Sequence, residues 1–271
     1  MSQYKEVANK LGIEGYKFEL SNYISQGWKL GLQSLGWLIL FAIIYLSISI
    51  VTQLIPIIGR FAQTFILAPV LSAGVTYFLH KKSTTGESDF SSFFDGFKNL
   101  GNLVVLNLLI LLLFMVTMIP LLASMFSLLN MEFFQAIANE DRVAMEAIGR
   151  NIVSSAGGVG IGVGVFISVL LVCILMLSLV FAKQFVIIGE LSAVEAIKAS
   201  IQVAKKKIFP LFGFMIVLVL INILGLLPLG LGLIVTIPMS AGAVYFMFKD
   251  IVISQVNSGE IILSEDDILD A

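Results

Sequence analysis

The chain contains one cysteine, Cys173, and one histidine, His80, among its 271 residues. A single cysteine excludes an intrachain disulfide, and one cysteine with one histidine cannot supply a cluster of nitrogen and sulfur metal ligands. A Ser-His-Asp triad would depend on His80 alone as its base, and no serine or carboxylate stands at a supporting spacing. The sequence therefore predicts no catalytic residue, no metal site and no cofactor.

Charged residues are also scarce. They make up 13% of the chain, against 58% hydrophobic residues, and the mean hydropathy is +1.02. In an ordinary soluble domain about a quarter of the residues are charged. The formal net charge is -2 at pH 7, so we expect no nucleic-acid partner, which would select a basic surface. This composition is typical of an integral membrane protein.

Six apolar runs are long enough to cross the hydrocarbon core of a bilayer, which takes about 20 residues. We expect an all-α polytopic bundle of about six transmembrane helices, forming a single integral membrane domain over residues 1–271. Residues 256–271 form an acidic C-terminal tail, which we interpret as solvated or, alternatively, as a protein-docking peptide. The expected spans are 35–55, 61–79, 100–122, 158–182, 210–227 and 229–248.

Basic residues are distributed unevenly between the two ends of these spans. All thirteen lysines fall on one side of the six-span threading, and the three arginines, Arg60, Arg142 and Arg150, fall on the other. Positive residues collect on the cytoplasmic side of membrane proteins. We therefore expect a multi-pass protein of the cytoplasmic membrane with both termini in the cytoplasm.

Two segments on the lysine side have helical periodicity but too little hydrophobicity to cross the membrane. We expect both to form amphipathic helices in the inner interface. The first begins near residue 20 and carries Trp28, a residue type suited to the headgroup level. The second begins with Asp89, placed to cap a helix. Its aromatic stripe consists of Phe90, Phe93, Phe94 and Phe97.

A third amphipathic segment has the clearest start signal. Ser192 and Glu195 stand at the spacing of a capping box, and an apolar stripe follows on one face of the expected helix. Basic residues near an anionic leaflet attract its lipids, so we expect this segment to bind lipid. The alternative is that its lysines only set the orientation of the protein in the membrane. The expected lipid-binding residues are Trp28, Lys198, Lys205, Lys206 and Lys207.

The chain also contains an internal repeat. SAGVTYFLHK at 72–81 recurs as SAGAVYFMFK at 240–249, with six identities in ten positions, and a Glu-Leu-Ser triplet at 19–21 recurs at 190–192. Both copies begin on the same side, which predicts parallel repeats at about 19–81 and 190–249. The spans at about 100–122 and 158–182 lie between them.

We find no ionisable residue deep in an expected span. Such residues mark proton relays, ion coupling and voltage sensing, so these mechanisms are disfavoured. Lys183 and His80 come nearest, and we expect Lys183 to snorkel to the interface. The polar residues in the spans either bond across helices or line a solute path. They are Asn107, Asn222, Ser72, Ser240 and Tyr245.

Glycine and proline give further packing signals. The glycine-rich run at 157–164 opens an apolar span, without the preceding strand that a phosphate-binding loop needs. Its four-residue spacing predicts close helix packing. Pro69, Pro120 and Pro238 are expected to bend or break their helices.

The segments YISQGWKLG, FSSFFDGFKN, FAKQFVIIGELSAVEAIKASIQVAKKK and IPMSAGAVYFMFKDI together carry a family resemblance. The chain resembles uncharacterised bacterial six-helix integral membrane proteins related to the membrane domain of some glycerophosphodiester phosphodiesterases. The resemblance implies a bacterial membrane fold. It transfers no catalytic residue, because the catalytic unit of those enzymes is a separate soluble domain.

Two functions of different classes follow from these observations. The first is a non-enzymatic membrane protein that organises lipid or partner proteins at the inner face of the membrane. The alternative is a permease or channel for a small or lipid-like solute, favoured by the parallel repeats and the amides in the spans. The expected partners are membrane lipids and other membrane proteins.

Overall fold

A computed structural model describes residues 3–55, 57–126, 131–139, 141–153 and 155–258. All regular secondary structure in these ranges is helical. Six helical stretches within them are long and apolar enough to cross a membrane. The predicted all-α, multi-pass membrane fold is confirmed. Residues 259–271 of the predicted acidic tail lie outside the described residues.

Each predicted span has a counterpart among the six stretches. Two of them start ten or more residues earlier than predicted, because the amphipathic segments at 90–99 and 193–207 continue as helix into the apolar runs that follow. The six stretches are Leu35–Gln53, Ile58–Thr85, Phe90–Thr117, Val159–Ile187, Ala193–Leu226 and Leu233–Asn257.

The α-helices follow one another with short connections and two kinds of irregular helical turn. A 3-10 helix forms at Phe90–Asn99 and a short one at Lys205–Lys207, and π-helical turns form at Gln63–Leu67 and Lys249–Ile253. The α-helices are α1 (Gln3–Glu14), α2 (Leu20–Gln33), α3 (Leu35–Gln53), α4 (Ile58–Ala62), α5 (Ala68–Thr85), α6 (Leu100–Thr117), α7 (Ile119–Phe126), α8 (Met131–Ala138), α9 (Arg142–Val153), α10 (Ser155–Ser178), α11 (Ala182–Ile187), α12 (Ala193–Ala204), α13 (Ile208–Leu226), α14 (Leu233–Phe248) and α15 (Ser254–Asn257).

The chain divides into two compact units, one of residues 1–108 and 177–271 and one of residues 109–176. In the second unit, α6 ends at Thr117 and α7 begins at Ile119, as expected for a helix interrupted before Pro120. The freed N–H of Leu121 donates to Ser168 Oγ at 3.1 Å. Of the predicted small-residue contacts, only that of Gly164 is close among these three glycines: a Cβ atom on Gly164 would lie 2.9 Å from the Pro120 carbonyl oxygen, whereas one on Gly160 or Gly162 would meet nothing within 4 Å.

In the first unit, α2 packs along α14 through glycine. A Cβ atom on Gly27 would overlap the backbone of Ala243, and one on Gly242 would lie 2.7 Å from the Gly27 carbonyl oxygen. Gly31 approaches Met239 in the same way one turn further on. The two backbones therefore touch directly, which only glycine allows.

The 3-10 helix Phe90–Asn99 packs along α5 in a matching way. A Cβ atom on Gly74 would overlap the Phe93 carbonyl oxygen, and one on Gly96 would overlap that of Val70. Gly74 and Gly242 occupy the same position in the repeated SAG motif. The glycine in each copy of the motif thus contacts a helix on the side of the six-span threading that holds the lysines, which we call the lysine-rich end.

An aromatic stack fills the space behind this contact. Phe93 is fully buried. Its ring is nearly parallel to the rings of Phe78 and Phe41, with distances between ring centroids of 4.2 Å and 4.4 Å. Asp89 stands at the N-cap position, as predicted, but its side chain makes no capping bond. It pairs with Lys81 at 3.0 Å instead, so the helix start is fixed to α5.

Helix α1 was not predicted from the sequence. It packs on α12 and on the π-helical turn Lys249–Ile253, burying Val7, Ala8 and Leu11. Lys5 forms an ion pair with Glu195 at 3.2 Å. This contact gives α12 a buried face on one side and leaves another side exposed.

Candidate functional site

The predicted capping box of α12 is confirmed. Ser192 Oγ accepts from the Glu195 N–H, and the Glu195 carboxylate accepts from the Ser192 N–H at 3.4 Å. Six small or branched residues form the buried face of α12: Ala193, Ala196, Ala199, Ser200, Val203 and Ala204. The other face therefore carries the residues expected to meet lipid.

The exposed face of α12 combines apolar and basic side chains. Val194 is 49% exposed and Ile201 is 41% exposed, beside the exposed Lys198. Beyond the helix end, Lys205 and Lys206 are exposed and Lys207 is half-buried. Such a face suits a boundary between hydrocarbon and charged headgroups.

Trp28 lies on α2, outside the glycine contact with α14, and is 45% exposed. The opposite face of α2 buries Tyr23, whose hydroxyl donates to Asp250 Oδ2 at 2.9 Å. Burial, together with the negative charge of Asp250, raises the pKa of Tyr23 above its usual range. Tyr23 is therefore a neutral donor that ties α2 to the chain after α14.

The predicted polar residues of the spans divide between separate places. Asn222 on α13 donates to Ser240 Oγ at 2.8 Å and accepts from Thr236 Oγ1 at 3.0 Å, both on α14. Ser240 in turn donates to the Thr236 carbonyl. Every polar atom in this group has a partner on the protein, so the group joins α13 to α14.

Asn107 lies on α6 and bonds to a different helix. Its Nδ2 donates to the Thr64 carbonyl at 3.2 Å, within the π-helical turn Gln63–Leu67. Such a turn departs from the regular α-helical pairing of carbonyls. Gln63 of the same turn donates to Ser49 Oγ at 2.8 Å, so the turn is bonded to two neighbouring helices.

Tyr245 is buried at the lysine-rich end of α14. Its hydroxyl lies 3.1 Å from His80 Nδ1 on α5, and Lys249, one turn further on, donates to Ser83 Oγ at 2.7 Å. His80 thus serves a contact between α5 and α14. Among the residues that the structure describes, the ring of His80 bonds to Tyr245 and to no serine or carboxylate, unlike the base of a catalytic triad.

Ser72 is exposed on α5 and lines an apolar groove between α3, α5 and α14, with a volume of about 580 Å³. The groove falls within the usual range for small-molecule sites, about 300 to 1,000 Å³. Asn107, Asn222 and Tyr245 are not among its lining residues. The predicted solute-path residues therefore do not share one wall.

Lys183 makes a contact that the sequence did not predict, and its expected snorkelling to the interface stays a prediction. Its Nζ lies 3.5 Å from the Ser72 carbonyl oxygen, on a neighbouring helix. Among the residues that the structure describes, Lys183 forms no ion pair. Sequence reasoning singled out Lys183 but missed both its contact with Ser72 and the groove, because neither has a local motif. The chemistry they offer together is an apolar surface with a positive charge next to it.

No protein-family model matches the chain, and neither does any curated protein or solved structure. The resemblance to bacterial six-helix membrane proteins stays a prediction. Function must therefore be inferred from the geometry alone.

Proposed function

We propose that this protein is a non-enzymatic integral membrane protein that binds and organises lipid at the inner face of the bacterial cytoplasmic membrane. The exposed face of α12 carries the proposal. Its side chains are apolar at Val194 and Ile201 and basic at Lys198, while its opposite face is buried against the protein. Partner membrane proteins are a further class that this surface fits.

Apolar side chains on α12 would anchor it in the interface, and the lysines would then lie within a Debye length, about 8 to 10 Å, of anionic headgroups. Trp28 on α2, which we expect on the same side of the membrane, adds an exposed aromatic residue suited to the headgroup level. Attraction to anionic lipid is the expected result.

The permease alternative has less support. Asn222 and Asn107 bond to other helices, which is the ordinary role of amides in membrane bundles. The groove between α3, α5 and α14 is lined almost entirely by apolar side chains. A polar solute would leave its hydrogen bonds unsatisfied there.

Replacing Lys205, Lys206 and Lys207 with glutamine is expected to weaken binding to anionic lipid without preventing insertion. Because each lysine near an anionic surface contributes about 1 kcal/mol, we expect affinity to fall at least about tenfold at low salt. Binding to vesicles of phosphatidylglycerol, compared with phosphatidylcholine at low and moderate salt, measures the effect.

The matched control removes the same charge elsewhere, at Lys10, Lys17 and Lys82, none of which lies on α12 or directly after it. We expect this control to bind nearly as well as the wild type. Equal losses in both triple variants would refute a specific role for the end of α12, and unchanged binding in both would refute the lipid proposal.

The proposed orientation puts the lysine-rich end in the cytoplasm. Cys173 is the single native cysteine, so cysteines can be introduced one at a time in a Cys173→Ala background. We expect a membrane-impermeant thiol reagent to label Asp141→Cys in intact cells and to label Glu87→Cys only after lysis. The reverse pattern would show that the orientation is wrong.

A further inference from the structure

The groove between α3, α5 and α14 lies in helical stretches that are apolar enough to cross a membrane. Leu38, Ala42 and Leu46 line it from α3, and Ile234 and Ile237 line it from α14. Ile43 and Ile237 on its rim are both 57% exposed. The groove is therefore an indentation in the apolar surface of the first unit. Its lining is compatible with a hydrocarbon chain.

One polar feature adjoins this apolar surface. Ser72 lines the groove, and the carbonyl oxygen of the same residue lies 3.5 Å from Lys183 Nζ. The ammonium group has three donors, and this long contact uses one of them. With no carboxylate paired to it among the described residues, Lys183 keeps donors for a negatively charged group.

The position of Lys183 is fixed by a break between α10 and α11. Ser200 on α12 accepts from the Phe181 N–H at 3.1 Å and donates to the Ser178 carbonyl at 2.7 Å. These bonds satisfy backbone groups that the break leaves free. Phe181, Ala182 and Phe185 around the break are fully buried. Helix α11 is therefore held so that Lys183 reaches α5.

We propose that this place binds one anionic glycerophospholipid, with its phosphate on Lys183 and an acyl chain in the groove. The proposal rests on the lipid-binding function and adds a defined second site to the surface of α12. An ammonium group is a common phosphate ligand in proteins. A hydrocarbon chain matches the groove wall, whereas a polar solute does not.

The two lipid sites differ in their response to salt. Lys205 and Lys206 are exposed, so salt screens them. Lys183 lies within an apolar stretch, where screening is much weaker, and the acyl chain adds an interaction that salt does not weaken. A lipid at Lys183 should stay bound after a high-salt wash that removes lipid from the end of α12.

The experiment measures phospholipid that copurifies with the full-length protein after a high-salt wash in mild detergent, by native mass spectrometry. Lys183→Met keeps the unbranched shape and most of the length of the side chain and removes the charge. We expect it to lose about tenfold or more of the retained phosphatidylglycerol, the usual effect of removing one charge-assisted hydrogen bond. Lys183→Arg is expected to retain it.

A second pair of variants tests the groove. Ala42→Trp on α3 fills the groove and is expected to expel the lipid, whereas Leu40→Trp changes an exposed residue of the same helix that does not line it. Leu40→Trp is expected to retain the lipid. Thermal unfolding and size-exclusion profiles identify misfolded variants, which are replaced by Ala42→Phe and Lys183→Gln.

Each outcome has one meaning. Loss in Lys183→Met and Ala42→Trp, with retention in Lys183→Arg and Leu40→Trp, supports the proposal. Retention in either of the first two overturns it, as does displacement of the lipid by inorganic phosphate alone or an absence of salt-resistant lipid in the wild type. None of these results would change the salt-sensitive vesicle binding that the triple variant of Lys205, Lys206 and Lys207 tests. The lipid site at Lys183 and the lipid-binding function of α12 can therefore be refuted independently.

Discussion

Gly74→Val is expected to remove nearly all correctly folded protein. Even a single Cβ atom at this position would overlap the carbonyl oxygen of Phe93, and backbone cannot move aside as a flexible side chain can. Ordinary overpacking in a core destabilises a protein by about 1 to 3 kcal/mol. Forcing two helices apart should exceed that range, because the whole contact between α5 and the 3-10 helix is lost.

The measurement is the yield of monodisperse protein in mild detergent, followed by its thermal unfolding. Gly213→Ala on α13 is the matched control, because its added Cβ has no neighbour within 4 Å. That substitution should leave stability unchanged or raise it by up to about 1 kcal/mol, the difference in helix propensity. A normal yield and unfolding temperature for Gly74→Val would show that the two helices do not touch in this way.

Phe93→Ala should destabilise the protein by about 3 to 5 kcal/mol, the usual range for a buried phenylalanine. The ring is fully buried and stacked between Phe41 and Phe78. Aromatic pairs add about 0.5 to 1.5 kcal/mol beyond the area they bury. Removing this ring therefore leaves a cavity and deletes two stacking contacts at once.

Phe94→Ala provides the comparison, because Phe94 is the next residue and is 37% exposed. We expect its loss of stability to be clearly smaller in thermal unfolding. A double-mutant cycle of Phe93→Ala with Phe78→Ala should show coupling between the two rings, since residues in contact are not additive. An equal effect of the Phe93 and Phe94 variants would contradict the stacked arrangement.

Much of the helical architecture could be predicted from the sequence. A span in lipid must be long and apolar, so the six runs identified the six membrane-crossing stretches. The capping box of α12 was predictable from Ser192 and Glu195 alone, because it depends on one residue spacing. Local chemistry of this kind is visible in sequence.

Helix α1 had a signal that the prediction did not use. Tyr4, Val7, Ala8 and Leu11 follow a three- and four-residue spacing, and the last three are buried. The segment is short and rich in charge, with a weak apolar stripe. Its contacts with α12 and the π-helical turn Lys249–Ile253 decide that it folds, and these contacts are distant in sequence.

The candidate site was less predictable than the helices. Lys183 was expected at the interface because a long side chain beside an apolar run usually turns to the headgroups. That prediction stays untested, but the contact of Lys183 with the Ser72 carbonyl oxygen depends on a break that Ser200 stabilises from another helix. Likewise, no sequence pattern at Gln63 or Thr64 predicts a π-helical turn. These features arise from packing between elements that no local pattern relates.

The contact between α2 and α14 has a consequence for the order of folding. Tyr23 and Asp250, which join the two regions, are 227 residues apart. At a synthesis rate of about 5 to 20 residues per second, the chain that packs against α2 is synthesised on the order of 10 to 50 s after α2. During that time the glycine face of α2 has nothing to pack against. The first helices emerge early, but their end of the bundle closes only when the last span has arrived.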